Sequence, residues 1–305
     1  MGTGIVSVAL SLDGRETLSR ILLVVAALVW IALVLRALVV RRRLLREARL
    51  PGALSEVAGT AVLGTRLGML GWSWAGIVLL VAAVAGWMLL LPPVLRHLPT
   101  PTNGASLLLT VSTESLGVLS ATVAQHERAG WLLHAALVPL ALGLGFYLFV
   151  LARFDARELG RGQGDHWITG GALAIAALAG GKIAQAAGSL HTLGGGTGAL
   201  KWTALVLWLL AIAWLPLLLA AETLRPRLRY DARRWSTVFP VGMYAACSFV
   251  VGSVASAPAI TRFARVWVGL GRPGVLARYR CGDGASRRRA MSSGSVDQTR
   301  STGSP

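Results

Sequence analysis

Apolar runs of about 20 residues, bounded by charge or by Pro and Gly clusters, recur along the 305-residue chain. The clearest cover 21–40, 72–91, 131–150, 201–220 and 236–255. Runs at 104–123 and 168–187 match them in length but are richer in Gly, Ser and Thr, and a weaker run covers 53–70. A hydrocarbon core of ~30 Å needs about that much helix to cross it, so the pattern predicts an all-α polytopic membrane protein with seven or eight spans. Residues 1–12 read as apolar helix too, but only as half a span, and they lack the basic start and small-residue cleavage site of a secretory signal.

Loop charge orients the spans, because Lys and Arg in short loops stay on the cytoplasmic side. The loops at 41–50, 92–103, 151–163 and 223–234 hold fourteen Arg, whereas the intervening loops hold six basic residues, Arg15, Arg20, Arg66, Arg128, Lys182 and Lys201. The first set is expected inside the cell, which makes successive spans antiparallel.

The spans fall into two alternating classes. Gly, Ser and Thr together number none in 21–40, three in 72–91, two in 131–150 and one in 201–220, but nine in 104–123, five in 168–187 and six in 235–254. Small residues let helix backbones approach closely, and lipid accepts Leu and Val without penalty. The small-residue spans are therefore expected inside, the aliphatic ones outside, and a series of hairpins gathered about an axis would enclose a path. An ordinary bundle without a conduit fits the alternation as well.

Composition adds to this picture. Mean hydropathy is +0.63, 54% of residues are hydrophobic and 14% charged, far from the roughly one quarter charged of soluble domains. Of the net charge of +17, residues 260–305 contribute nine Arg against two Asp. Arg outnumbers Lys 28 to 2, a bias that fits a GC-rich gene; no nucleic-acid motif accompanies the charge, so nucleic acid is not an expected partner. The two cysteines, Cys247 and Cys281, cannot form a disulfide framework.

Candidate chemistry is sparse. Ser106, Thr110, Thr113, Gly117 and Ser120 follow one another at steps of four, three, four and three, a single narrow polar face of a helix. Glu114 adjoins that face. An unpaired charge at membrane depth costs at least ~2.5 kcal/mol, so Glu114 needs a partner or a proton; it reads equally as a functional acid or as a neutral group bonded to a neighbouring helix. Lys182 is either its partner or a side chain that snorkels to the outer interface, the commoner behaviour.

Pro240 removes a backbone donor from the last clear span and should kink it near Phe239, turning neighbouring side chains toward the axis. Phe239 is the candidate plug of the path, although a Phe beside a membrane Pro is more often a packing residue. Gly170, Gly171, Gly242 and Met243 complete the expected lining. The five histidines, His97, His126, His134, His166 and His191, have no metal-ligand spacing, GGGTGALK at 194–201 lacks the pattern of a phosphate loop, and no catalytic constellation is visible. Neither an enzyme nor a cofactor or metal is expected.

Several stretches resemble one known family: VAGTAVLGTR at 57–66, LTVSTESLGVLSAT at 109–122, DHWITGGALAIAALAG at 165–180 and RRWSTVFPVGMYAACSFVVG at 233–252. They are similar to the tellurite-resistance and four-carbon dicarboxylate transporter family, which includes the slow anion channels of plant guard cells. The resemblance covers residues 1–267 and implies ten helices in five hairpins around a quasi-fivefold central pore, with odd helices inside and a Phe of the ninth as gate, the position of Phe239. It also implies a homotrimer in the plasma membrane with both termini in the cytoplasm.

The start of the chain resembles the second half of the family's first helix, and after Trp267 the pattern stops. The expected division is a transmembrane domain over 1–257 and a basic, disordered or aberrant tail over 258–305, with Arg262, Arg265 and Arg272 excluding a tenth span. A truncated or frame-shifted product near residue 267 is the expectation that follows. The function expected is passage of small anions, such as tellurite, a four-carbon dicarboxylate or chloride, through a gated pore in the lipid bilayer. The alternative is a truncated, non-transporting relative.

Overall fold

Backbone polar groups in lipid must be satisfied within the segment that carries them, which favours helices over every open arrangement of strands. The computed structural model describes residues 1–39, 48–155, 157, 165–224 and 235–269, and ten α-helices account for most of them. In chain order these are α1 (Gly2–Leu12), α2 (Glu16–Val39), α3 (Leu54–Met69), α4 (Ser73–Arg96), α5 (Leu108–Glu127), α6 (Gly130–Leu151), α7 (Trp167–Leu190), α8 (Gly196–Leu224), α9 (Trp235–Val254) and α10 (258–269). Among the described residues there is no strand, only an isolated bridge between Thr102 and Phe154 that ties two loops together at one end. Seven helices are long and apolar enough to cross a membrane; α1, α3 and α10 are shorter. The chain is an all-α, multi-pass membrane protein.

Short connections make each odd–even pair an antiparallel hairpin. Gly14 (φ +79°) and Gly71 (φ +85°) turn the first two, in a backbone region that a side chain disfavours. The loop before α5 is held by a reciprocal pair: the Ser106 N–H donates to Asn103 Oδ1 at 3.1 Å, and the Asn103 N–H donates to Ser106 Oγ at 3.3 Å.

The two compositional classes occupy two layers. The odd helices pack in a closed ring, α1 on α3, α3 on α5, α5 on α7, α7 on α9 and α9 on α1, and the even helices α2 to α8 each lie outside against two neighbouring odd ones. The most apolar windows of α5 and α7 are 100% buried, and that of α9 is 78% buried. Those of α2, α4, α6 and α8 range from 11% to 33%. Glycines set the close approaches inside the ring: a Cβ on Gly242 would meet Ile5 and Val6 of α1, and one on Gly64 would meet Leu119 of α5.

The outer face is aliphatic, with Val24, Leu28, Val81 and Leu148 exposed. Trp72, Trp74, Trp131 and Trp202 are also exposed and cluster at the arginine-poor ends of the hairpins, as aromatic side chains do at a membrane–water interface.

Residues 258–269, at the head of the expected basic tail, form α10. Ile260, Phe263, Ala264 and Trp267 face inward at helical spacing, whereas Arg262 and Arg265 are exposed, so a short amphipathic helix forms where a span is excluded. Trp267 Nε1 donates to the Val241 carbonyl of α9 at 3.0 Å, and the Trp267 ring stacks on Phe263 with centroids 5.6 Å apart. Arg272, Cys281 and the rest of the tail lie outside the described residues, as do most of the arginines at 41–50 and 223–234.

Candidate functional site

The ring of odd helices leaves a small cavity between its members, of about 10 Å³, room for about one water molecule. Every odd helix contributes to its wall: Ile5 and Val8 from α1, Val62 and Thr65 from α3, Ser115 and Val118 from α5, Ile175 and Leu178 from α7, and Met243 from α9. Four of the helices thus face the axis with residues three apart, and that spacing fixes the register by which the axis continues in both directions.

One turn toward the arginine-rich end, the register brings Ala58, Val111, Gly171 and Phe239 to the axis. Phe239 is 1% exposed, and Gly171 lets α7 approach α9 closely at this level: a Cβ on Gly171 would lie 3.0 Å from the Pro240 ring. A bulky aromatic on one helix thus stands at the level of a missing side chain on its neighbour, with Pro240 inside α9. One turn the other way the axis positions are Leu12, Met69, Thr122 and Lys182, with Val250 on α9. The wall is mainly apolar, and its hydroxyls are turned back on their own helices. Thr65 Oγ1 donates to the Ala61 carbonyl at 2.9 Å, Ser115 Oγ to Val111 at 2.7 Å and Thr122 Oγ1 to Val118 at 2.8 Å.

The polar face singled out on α5 does not share this axis. Thr113 accepts a hydrogen bond from Trp87 Nε1 of α4 at 2.9 Å, and a Cβ on Gly117 would meet Ala136 and Pro139 of α6. The Glu114 carboxyl lies against Gly143 of α6, fully buried, and neither of its oxygens has a hydrogen-bond partner. Thr110 Oγ1 is buried without a partner as well. Ser120 shares the outward side of α5, and Ser106 belongs to the capping turn ahead of it. Among the glycines, Gly170 packs against the Tyr244 hydroxyl and Gly242 against α1, so both serve helix–helix contact, while Met243 lines the cavity.

Lys182 is 7% exposed and stands on the stripe of α7 that continues from Leu178 toward the arginine-poor end. Arg66, which the sequence placed merely among loop charges, is 1% exposed and bound on two sides: Nε donates to Ser19 Oγ at 2.9 Å, and a terminal nitrogen donates to Glu16 Oε1 at 2.5 Å. Ser19 is in turn locked to Ser7 of α1, each hydroxyl donating to the other residue's carbonyl at 2.7 Å. A polar residue at the same turn of α1, α2 and α3 was the available signal, but it emerges only once the pairing of the helices is known. Among the described residues no group of three His, Cys, Asp or Glu is placed to hold a metal.

Comparison with known proteins agrees with this architecture. The family described as voltage-dependent anion channel matches residues 1–271. Two membrane proteins of Mycobacterium tuberculosis, from strains CDC 1551 and H37Rv and both described as uncharacterized, are each 32% identical over 112 residues, or 34% of this chain. The chain spans 56% of the length of each of these relatives. No solved structure matches it.

Proposed function

Because the chain belongs to the voltage-dependent anion channel family, we propose that it passes small anions across a membrane along the axis of its five odd helices, with Phe239 closing the path. The observation that carries this reading is the cavity whose wall draws on all five inner helices, continued by register onto the buried Phe239. A path between helices that are themselves screened from lipid by an outer layer needs no movement of the lipid-facing surface to open. Rotation of the Phe239 ring about its χ angles is the movement this reading assigns to opening.

The same reading takes tellurite, a four-carbon dicarboxylate or chloride as the permeant species, the plasma membrane as the location and a homotrimer as the assembly. Arginines at the cytoplasmic ends would concentrate anions at the mouth. The purified full chain in liposomes, assayed for chloride, succinate and tellurite uptake, tests it. Phe239→Ala is expected to carry an anion faster than the unchanged protein; equal leakage from both, for every anion, supports a non-transporting member of the family.

A further inference from the structure

An anion leaving water needs hydrogen-bond donors or positive charge to replace its shell. The described wall of the axis offers almost none, since the hydroxyls of Thr65, Ser115 and Thr122 are all spent on their own helices. The exception is on α7. Lys182 follows the cavity residue Leu178 by four positions and so extends the same stripe one turn toward the arginine-poor end. At that level the other four helices present Leu12, Met69, Thr122 and Val250, none of them charged.

Two buried cations therefore stand near this end, in opposite conditions. Arg66 is neutralised by Glu16. Lys182 is 93% buried and makes no hydrogen bond or ion pair among the described residues. The carboxyl of Glu114, on the other side of α5, faces α6 instead. An ammonium on so largely enclosed a side chain, with no counter-charge from the protein, favours a mobile anion beside it. Arg128 and Lys201, at the same end, are exposed and hydrated, and differ from Lys182 in this respect.

We infer that Lys182 is a binding site for a small monovalent anion at the arginine-poor end of the axis, its unpaired ammonium being the one charge, among the described residues, that the axis-facing stripes bring beside the cavity. The inference deepens the proposed conduction path and rests on it. An anion held here waits on the far side of the cavity from Phe239, so occupancy of the site governs how conduction saturates and how strongly anions are preferred over cations.

The test uses two readouts on the full chain. In the first, chloride flux into liposomes is measured against chloride concentration in Phe239→Ala and in Phe239→Ala combined with Lys182→Met or Lys182→Arg. The Met variant is expected to need about tenfold more chloride for half-saturation and to lose preference for chloride over potassium, the scale of one charge-assisted contact; the Arg variant retains both. Equal half-saturation and equal preference in the Met variant overturn the inference while leaving the conduction path standing. No chloride flux in Phe239→Ala itself overturns the conduction reading and the inference with it. The second readout needs no flux: chloride added in place of gluconate should raise the unfolding temperature of the otherwise unchanged protein in detergent, and Lys182→Met should abolish the rise. A chloride response that survives in Lys182→Met places the anion elsewhere.

Discussion

The carboxyl group of Glu114 occupies the space that a side chain at position 143 would fill, so Gly143 on α6 and Glu114 on α5 are a fitted pair. An acid with neither oxygen bonded is thus accommodated beside a bare stretch of neighbouring backbone. Gly143→Ala forces the carboxyl aside and is expected to destabilise the protein by about 1–3 kcal/mol, the usual cost of overpacking. Adding Glu114→Ala should recover most of that loss. Thermal unfolding of the two single variants and the double variant in detergent measures the coupling, and additive losses would mean that the two residues do not meet.

The Arg66 cluster gives a second prediction. Glu16→Gln removes the carboxylate from a guanidinium that is 1% exposed, while the Glu16 side chain itself is 38% exposed and partly screened by water. The expected loss is about 1–3 kcal/mol, below that of a fully enclosed pair. Arg66→Met in the same chain should restore part of it, because no uncompensated charge then remains. Unfolding temperatures for the single and double variants check this, and a double variant less stable than Glu16→Gln would refute it.

Tyr244 and Trp208 pin α9 to α8. The Tyr244 hydroxyl donates to the Ala211 carbonyl at 2.8 Å, and Trp208 Nε1 donates to Ser248 Oγ at 2.7 Å. Tyr244→Phe should cost about 0.5–1.5 kcal/mol and leave flux in the Phe239→Ala background unchanged. A large change in flux would show that the attachment of α9 to its outer neighbour participates in opening.

Met243 and Phe239 lie in series on one face of α9. Met243→Ala enlarges the cavity but leaves the ring of Phe239 in place, so by itself it should leave anion flux at the level of the unchanged protein. Combined with Phe239→Ala it should exceed Phe239→Ala alone. A rise from Met243→Ala alone would move the constriction one turn toward the arginine-poor end.

The layering of this protein was legible from a count of small residues in each run, because in lipid the closeness of two helix backbones is decided by side-chain size and little else. The half-length α1 and the alternating ends were legible for equally direct reasons. The axis was not. The repeated hydroxyls of α5 suggested a wet wall, yet a Ser or Thr in a helix can satisfy itself on the carbonyl four residues back, as Ser115 does at 2.7 Å, and needs no water. The polar stripe consequently marks where α5 meets α4 and α6, while the face toward the cavity carries Val118 and the self-satisfied Ser115. The burial of most of Lys182 was not legible either, because the face on which it stands is set by the neighbours of α7. α10 was not legible as a span, because a short helix with Arg262 and Arg265 outward lacks the length and the apolar surface of one.

Because all five walls of the axis come from one polypeptide, the proposed path would open or stay shut within the single chain, however many copies assemble. Blocked and open copies mixed in one assembly should then conduct in simple proportion to their numbers, with no dominance of either and no threshold. This distinguishes such an architecture from one in which subunits share a common pore.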